Sequence, residues 1–474
     1  MLKAFVYCIF LYAFVAIIAN PWFPIVAYFA NGIMQPKYVW PWTFPDISIS
    51  KYLAIFSILA LMKVIATKKI DWSIYKYKQN YILLTMWILI HLSDFFSPYP
   101  VYFAGVKAEI VLSALNATII MYFVGLGLLS NVEQYKKSLL YLSIMFALIS
   151  VYYTYWANDM YLSNRWDMFT LGRLNSPRGT SIGDQNALSG LIVMGMPFIL
   201  LGFFYCKNFF IKWACLGVLP LLWHSLFLFG SRGAMLAVLF TTLITLMLLK
   251  QDKSITTPVI EFKYVKSFKI LITIGFIAAL AIQGGAMMQR SSATAEQAQT
   301  GGDEPLNPRL VSWAVGTKLI LKYPLLGAGP QRFQMASRTL YPGESVHVAH
   351  NTFLNFSANT GLPVGLLFLL LFWFNYKNYK YCKKRNIERY PILNYLNKAC
   401  SLALIGYFIS ALFLDMIIFE AFYFIMMLNL VKLHIFKQLQ NDNQNDTDLA
   451  IKEPINSKTT DKIRDHNGLL IKNN

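Results

Sequence analysis

Long runs of apolar residues, separated by short polar segments, follow one another along almost the whole chain. A helix needs about 20 predominantly apolar residues to cross a lipid bilayer. Of the 474 residues, 56% are hydrophobic and only 14% are charged, which is not typical of a soluble protein. The pattern predicts an all-α, polytopic membrane protein with about twelve transmembrane helices. The apolar windows begin near Ala4, Lys51, Tyr81, Ile110, Ser138, Asn186, Phe209, Ala234, Phe268, Asn351, Lys398 and Ala421.

The first apolar stretch is interrupted by Pro21 and Pro24 and allows two arrangements. Residues 4–20 and 22–33 are both short, so they form either one broken span or two short spans. No small-x-small cleavage site ends the stretch, so we expect an uncleaved membrane element rather than a signal peptide.

Basic residues in the polar segments orient the predicted helices, because cytoplasmic loops carry an excess of lysine and arginine. Five lysine-rich segments are therefore placed inside, which leaves two large outer loops at about residues 158–185 and 284–350. We expect N-terminal helices in residues 1–155, a membrane domain in residues 156–437 and a disordered cytoplasmic tail in residues 438–474. The inside segments are marked by Lys68, Lys69, Lys76 and Lys78, by Lys136 and Lys137, by Lys207 and Lys212, by Lys250, Lys253, Lys263, Lys266 and Lys269, and by Lys377, Lys380, Lys383, Lys384 and Lys398.

Arginine is concentrated on the predicted outer face. A guanidinium group offers a rigid fork of donors that matches phosphate oxygens, so the pattern favours a site for a phosphorylated lipid. The alternative is a set of structural ion pairs and lipid-headgroup contacts. The net charge of +19 is largely explained by membrane topology and does not indicate a nucleic-acid partner. The outer arginines are Arg165, Arg173, Arg178, Arg232, Arg290, Arg309, Arg332 and Arg338.

Two histidines, His347 and His350, lie in the second outer loop and are candidates for a general base near neutral pH. His350 directly precedes an apolar window, so we expect it in the first turns of a helix, where the helix dipole favours a neutral ring. Asp415 and Glu420 flank the last outer turn and are either solvated or in contact with substrate or arginine. No cluster has the spacing of metal ligands, and the cysteines form no disulfide framework, so we expect neither a metal nor another cofactor.

Several outer-face motifs occur in an order that resembles the O-antigen ligase and polymerase superfamily. They are GTSIGDQNAL from Gly179, GSRGA from Gly230, RLVSW from Arg309, YPLLGAG from Tyr323, HNTFL from His350 and GLPVG from Gly361. The aromatic, proline-rich residues 34–45 and the Asp-Gln-Asn sequence are also similar to the exosortase-associated O-glycosylation ligases.

The resemblance implies a C-type glycosyltransferase fold in the bacterial inner membrane, with an active site facing the periplasm. The donor would be a glycan on undecaprenyl diphosphate, and a hydroxyl of an acceptor lipid, protein or polysaccharide would displace the lipid diphosphate. Fixed arginines stabilise the charge that develops on such a leaving group, and a neutral imidazole can take the hydroxyl proton. The resemblance assigns His350 as the catalytic base, and the substrate-binding residues would be Arg232, Arg309, Arg173 or Arg178, Arg332, Arg338 and His347.

Two other functions stay open on the sequence alone. A polymerase of the same superfamily would add repeat units to a second lipid-linked glycan, and it would share the donor and the fold. A flippase or transporter for lipid-linked sugars would more often place its binding groups near the bilayer midplane. The ionisable groups here concentrate at one face, which disfavours transport.

Overall fold

The computed structural model shows a chain that is helical along most of its length. It describes residues 2–40, 48–100, 102–103, 106–170, 172–177, 184–206, 208–249, 266–267, 269–278, 281, 308–342, 344 and 348–452. In chain order the helices are α1 (Leu2–Ala19), α2 (Phe23–Met34), α3 (Pro36–Val39), α4 (Ile49–Ala66), α5 (Lys78–Phe95), α6 (Ala108–Leu129), α7 (Tyr135–Leu162), α8 (Gln185–Tyr205), α9 (Phe209–Phe229), α10 (Arg232–Leu248), α11 (Lys269–Ala278), α12 (Pro308–Lys322), α13 (Phe333–Leu340), α14 (Thr352–Thr360), α15 (Leu362–Lys384), α16 (Pro391–Ala411) and α17 (Glu420–Lys452).

Two short antiparallel hairpins lie between helices. The first pairs β1 (Tyr102–Phe103) with β2 (Val106–Lys107) before α6. The second pairs β3 (Phe169–Thr170) with β4 (Arg173–Leu174), which places Arg173 opposite Thr170 in the first outer loop.

The all-α membrane class is confirmed. Within the described residues, six helices are long and apolar enough to cross a membrane, namely α4, α6, α7, α8, α9 and α16. Shorter apolar helices are α10, α11 and the segment Ala4–Ala19 of α1. The total of about twelve spans and the extent of the second outer loop stay predictions.

Helix α8 lies at the centre of the bundle. Its apolar residues are almost all buried, because it packs against α7, α9, α10 and α16. Small residues permit this close approach, since a Cβ atom at Gly195 would collide with the side chain of Ser150 on α7. The N-terminus of α8, which follows the first outer loop, is therefore held in a fixed position.

The first apolar stretch forms two helices joined by a turn at Asn20. Most side chains of α1 are exposed, whereas α2 is buried against α4 and α7. The hydroxyl of Tyr153 on α7 donates a hydrogen bond to the carbonyl of Met34 at 2.8 Å and so holds the end of α2.

Amide side chains connect α5, α15 and α17 inside the bundle. The Asn375 Oδ1 atom accepts hydrogen bonds from Gln79 at 2.9 Å and from Asn429 at 2.7 Å. Asn378 donates to the Gln79 Oε1 atom at 2.8 Å. Such amide bonds join helices that apolar surfaces alone would not hold together in lipid.

The chain divides into a unit of Met1–Phe436 and a unit of Lys437–Asn474. Helix α17 continues to Lys452, through a segment for which the sequence predicted a disordered tail. Residues 453–474 of that predicted tail lie outside the described residues.

Candidate functional site

Six of the eight predicted site residues lie in the described part of the chain. Arg173 is on β4, Arg232 begins α10, Arg309 is the second residue of α12, and His350 precedes α14. Arg332 and Arg338 lie at the start and in the last turn of α13. Arg178 and His347 lie outside the described residues.

A sharp turn between α9 and α10 places Arg232 at the end of the bundle. Gly230 ends α9 in the left-handed conformation, with a φ of 61°, which glycine adopts without strain. The Ser231 hydroxyl accepts a hydrogen bond from the amide of Ala234 at 3.4 Å and caps α10. Arg232 is exposed at the first position of α10, so it is fixed by its backbone and accessible at its side chain.

Arg309 lies near Arg232 and Asp184, although the three residues come from different helices. Burial lowers the pKa of the half-buried Arg309 guanidinium, and the positive charge of Arg232 lowers it further. The carboxylate of Asp184, the cap residue of α8, offsets part of this effect. Two guanidinium groups beside one carboxylate are an arrangement that can bind an anion.

Arg173 connects the first predicted outer loop to this cluster. Its Nε atom donates to the carbonyl of Phe229 at 2.9 Å, one residue before the Gly230 turn. Its Nη2 atom donates to the Asn186 Oδ1 atom at 2.7 Å, and Asn186 donates through Nδ2 to Asp184 at 2.8 Å. Arg173 therefore positions both the turn before Arg232 and the carboxylate beside Arg309.

The sequence predicts His350 in the first turns of a helix. In the structure it lies just before the N-terminus of α14 instead. It is half-buried and has a φ of 47°, a left-handed conformation that is uncommon for a residue with a side chain. The next residue, Asn351, caps α14 by accepting from the amide of Leu354 at 2.9 Å. The helix is also short, because Gly361 separates α14 from the apolar α15.

The turn between α16 and α17 holds the residues that follow His350. Asn351 donates to the carbonyl of Leu412 at 3.1 Å. The hydroxyl of Thr352 donates to the carbonyl of Leu414 at 2.7 Å and accepts from the amide of Met416 at 3.0 Å. These bonds fix the backbone beside the histidine.

Two glycine-containing motifs far apart in sequence bond to each other through their backbones. The amides of Ala328 and Gly329 donate to the carbonyls of Ala358 at 2.9 Å and Asn359 at 2.7 Å. Gly327 has a φ of 68°, and a Cβ atom there would collide with the Asn359 backbone. The loop after α12 is thus joined to α14, which links the helix of Arg309 to the helix behind His350.

The two arginines of α13 differ in their surroundings. The Arg332 side chain is only 4% exposed, and its Nη1 atom lies 2.5 Å from an Asp94 carboxylate oxygen. Its Nε atom donates to the carbonyl of Tyr99 at 3.0 Å. Arg338 is exposed. The guanidinium of Arg332 therefore ties α13 to the last turn of α5 and to the loop after it.

The Asp-Gln-Asn motif by itself assigns no role to Asp184 or Asn186. The sequence does indicate Asp184 as a helix cap, because an Asp before an apolar helical window is typical of that position. Its electrostatic contact with Arg309 could not be found without the fold. Within the described residues, no group of three or more His, Cys, Asp and Glu side chains could hold a metal ion.

Comparison with known families bears directly on this region. Residues 217–369 match the family described as O-antigen ligase. This match supports the resemblance to the O-antigen ligase superfamily over about a third of the chain. The matched segment contains Arg232, Arg309 and His350, whereas Arg173 and Asp184 lie before it. No curated protein matches the chain.

The match over residues 217–369 confirms the resemblance of the motifs in that segment. With the apolar helices, it supports a multi-pass membrane glycosyltransferase of the ligase and polymerase type, a type that implies a lipid-linked glycan and an acceptor in general. The similarity to the exosortase-associated subgroup stays a prediction.

Proposed function

We propose that the protein transfers a glycan from undecaprenyl diphosphate to an acceptor hydroxyl at the periplasmic face of the bacterial inner membrane. The observation that carries the proposal is the proximity of Arg232 and Arg309. Two guanidinium groups that repel each other are retained most readily where an anion lies between them. A lipid diphosphate is an anion of suitable charge and geometry.

The reaction is a single displacement in this proposal. The acceptor oxygen attacks the anomeric carbon while a ring nitrogen of His350 takes the hydroxyl proton. The bond between that carbon and the phosphate oxygen breaks, and its electron pair stays on the diphosphate. Arg232 and Arg309 stabilise the added charge, so the chemistry requires no metal. Attack opposite the leaving group inverts the configuration of the donor carbon.

Arg173 acts in this scheme mainly by positioning the cluster, because its contacts reach Phe229 and Asn186. Arg338 is exposed and can contact a substrate, and Arg178 and His347 are further candidates for the same task. We assign Arg332 a structural role, since Asp94 and backbone carbonyls hold its buried guanidinium.

The test uses membranes that contain the protein and its native lipid-linked glycan. We expect the variants Arg232→Ala and His350→Ala each to abolish glycan transfer while membrane levels stay normal. Arg165→Ala is the matched control, because Arg165 is exposed and pairs with Asp167 at 2.8 Å. Normal transfer by His350→Ala would exclude the general-base role. Products that grow on lipid diphosphate, rather than on a separate acceptor, would identify a polymerase.

A further inference from the structure

A cavity of about 50 Å³ lies between the end of α2, the first turns of α8 and the turn before α17. Its polar lining comes from Gln35, Asp415 and Glu420, and the remaining walls are mostly apolar side chains and small residues. None of the roles assigned above uses this cavity.

The cavity contains a buried carboxyl oxygen that lacks a partner. The Glu420 Oε2 atom is buried and has no hydrogen-bond partner. It lies directly beside Gly32, where a Cβ atom would collide with it. Leaving a buried acceptor unpaired is costly, so this atom calls for a donor from outside the protein.

Asp415, in contrast, already has partners. Its carboxylate accepts hydrogen bonds from the Asn355 side chain and from the backbone of Ile417. Gln35 is also engaged by other groups. Of the three polar side chains in the lining, Glu420 is therefore the one with a buried oxygen that has no partner.

This lining discriminates among possible occupants. A bare cation such as Ca²⁺ takes 6–8 oxygen ligands, and a buried water typically makes about three hydrogen bonds. A buried ammonium group would leave donors unpaired. A hydroxyl carried on a carbon needs one acceptor and apolar surroundings. A hydroxymethyl-sized group fits within a volume of about 50 Å³.

The cavity adjoins both halves of the candidate site. Ala187, which lines it, follows Asn186, the partner of Arg173. Met416, which also lines it, donates its amide to Thr352, two residues after His350. A group held in this cavity thus lies beside the element that carries the base.

We propose that this cavity is an acceptor subsite, in which the Glu420 carboxyl accepts a hydrogen bond from one hydroxyl-bearing substituent of the acceptor saccharide. The assignment to the acceptor rests on the proposed function. Binding of a saccharide substituent at Glu420 does not require that His350 acts as a base.

The test measures binding of methyl glycosides to the purified full-length protein by NMR, without a donor. The panel comprises methyl glucoside, methyl galactoside and methyl mannoside, each with its 6-deoxy analogue. We expect at least one complete glycoside to bind Glu420→Leu about tenfold more weakly than it binds the wild type, as for the loss of one hydrogen bond. Its 6-deoxy analogue should bind both proteins equally.

Two further variants separate recognition from folding. Glu420→Gln keeps an acceptor oxygen and should retain binding, whereas Gly32→Ala reduces the space beside Oε2 and should weaken it. Glu109→Leu is the matched control, because Glu109 is an exposed acidic residue in the first turn of α6. Thermal unfolding verifies that each variant is folded.

Equal binding of the whole panel by wild type and Glu420→Leu would overturn the subsite. The proposed function fails by a different result, which is normal glycan transfer by His350→Ala. Because the binding assay contains no donor and measures no transfer, the two failures are distinguishable.

Discussion

The guanidinium of Arg309 lies close enough to that of Arg232 for the second charge to lower the pKa of the first. Arg309 is half-buried near the start of α12, and Arg232 is exposed at the start of α10. Such a pair of like charges is unfavourable unless a counter-charge is present, and Asp184 supplies one negative charge beside it. An anionic substrate with more than one charge would complete the neutralisation.

Inorganic pyrophosphate should therefore stabilise the protein. We expect millimolar pyrophosphate to raise the thermal unfolding temperature of the wild type by a few degrees, because a ligand that binds only the native state stabilises it. Arg309→Gln and Arg232→Gln should lose most of this increase. Arg165→Gln should keep it, because Arg165 is exposed and pairs with Asp167 instead. If pyrophosphate left the unfolding temperature of the wild type unchanged, that result would argue against a diphosphate site.

Substitution of Arg173 should reduce transfer by misplacing the residues around it. Arg173→Lys and Asn186→Ala should each lower the rate about 10–100-fold, since either breaks the connection from Phe229 to Asp184. The double variant should lose little more than the stronger single variant, because both break one network. Additive losses, measured in a double-mutant cycle, would mean that the residues act independently.

The stability of the protein should depend on pH through Glu420, which precedes the apolar window from Ala421. Burial raises the pKa of its carboxyl to about 7, above its ordinary value of 4.5. The stabilisation from the protonated form is therefore fully present below about pH 4.5 and is lost as the pH rises through 7. We expect unfolding temperatures to fall between pH 5 and 8, and to fall by a few degrees less in Glu420→Gln. If the unfolding temperatures of wild type and Glu420→Gln fell in parallel over this pH range, Glu420 would not cause the pH dependence.

The backbone contact between the two glycine motifs should tolerate no side chain. Gly327→Ala places a Cβ atom against Asn359 at a positive φ, so we expect a loss of more than about 2 kcal/mol in the free energy of unfolding. Gly217→Ala is the control, because nothing lies within 4 Å of a Cβ atom there. That helical glycine should gain up to about 1 kcal/mol on substitution. Denaturant titration in detergent measures both changes.

Arg332 should affect stability more than catalysis. Arg332→Met leaves the Asp94 carboxylate without its partner at 2.5 Å, and breaking a buried pair costs about 3–5 kcal/mol. The Asp94 side chain is one-third exposed, so we expect the lower end of that range. Arg332→Met with Asp94→Leu should recover part of the loss. A variant of normal stability that transfers no glycan would return Arg332 to the substrate-binding residues.

The sequence predicted the residue types of the site better than their arrangement. Arg232 and Arg309 could be nominated from motifs, but sequence spacing does not show that two helix starts meet. His350 was placed within a helix because an apolar window follows it, yet Gly361 interrupts that window and Asn351 caps a separate short helix. Asp184 and Glu420 could not be assigned, since their surroundings come from segments far away in the chain.

By itself, the sequence determined that the protein is a helical membrane protein and that residues 217–369 match the O-antigen ligase family, because apolar length and local motifs are properties of neighbouring residues. Tertiary structure decided which charges meet and which carboxyl oxygen is left unpaired. It brought Arg309 to Arg232 and Asp184, buried Arg332 against Asp94, and placed Glu420 beside Gly32. Electrostatic and desolvation energies depend on distance in space, and the packing of the helices sets those distances.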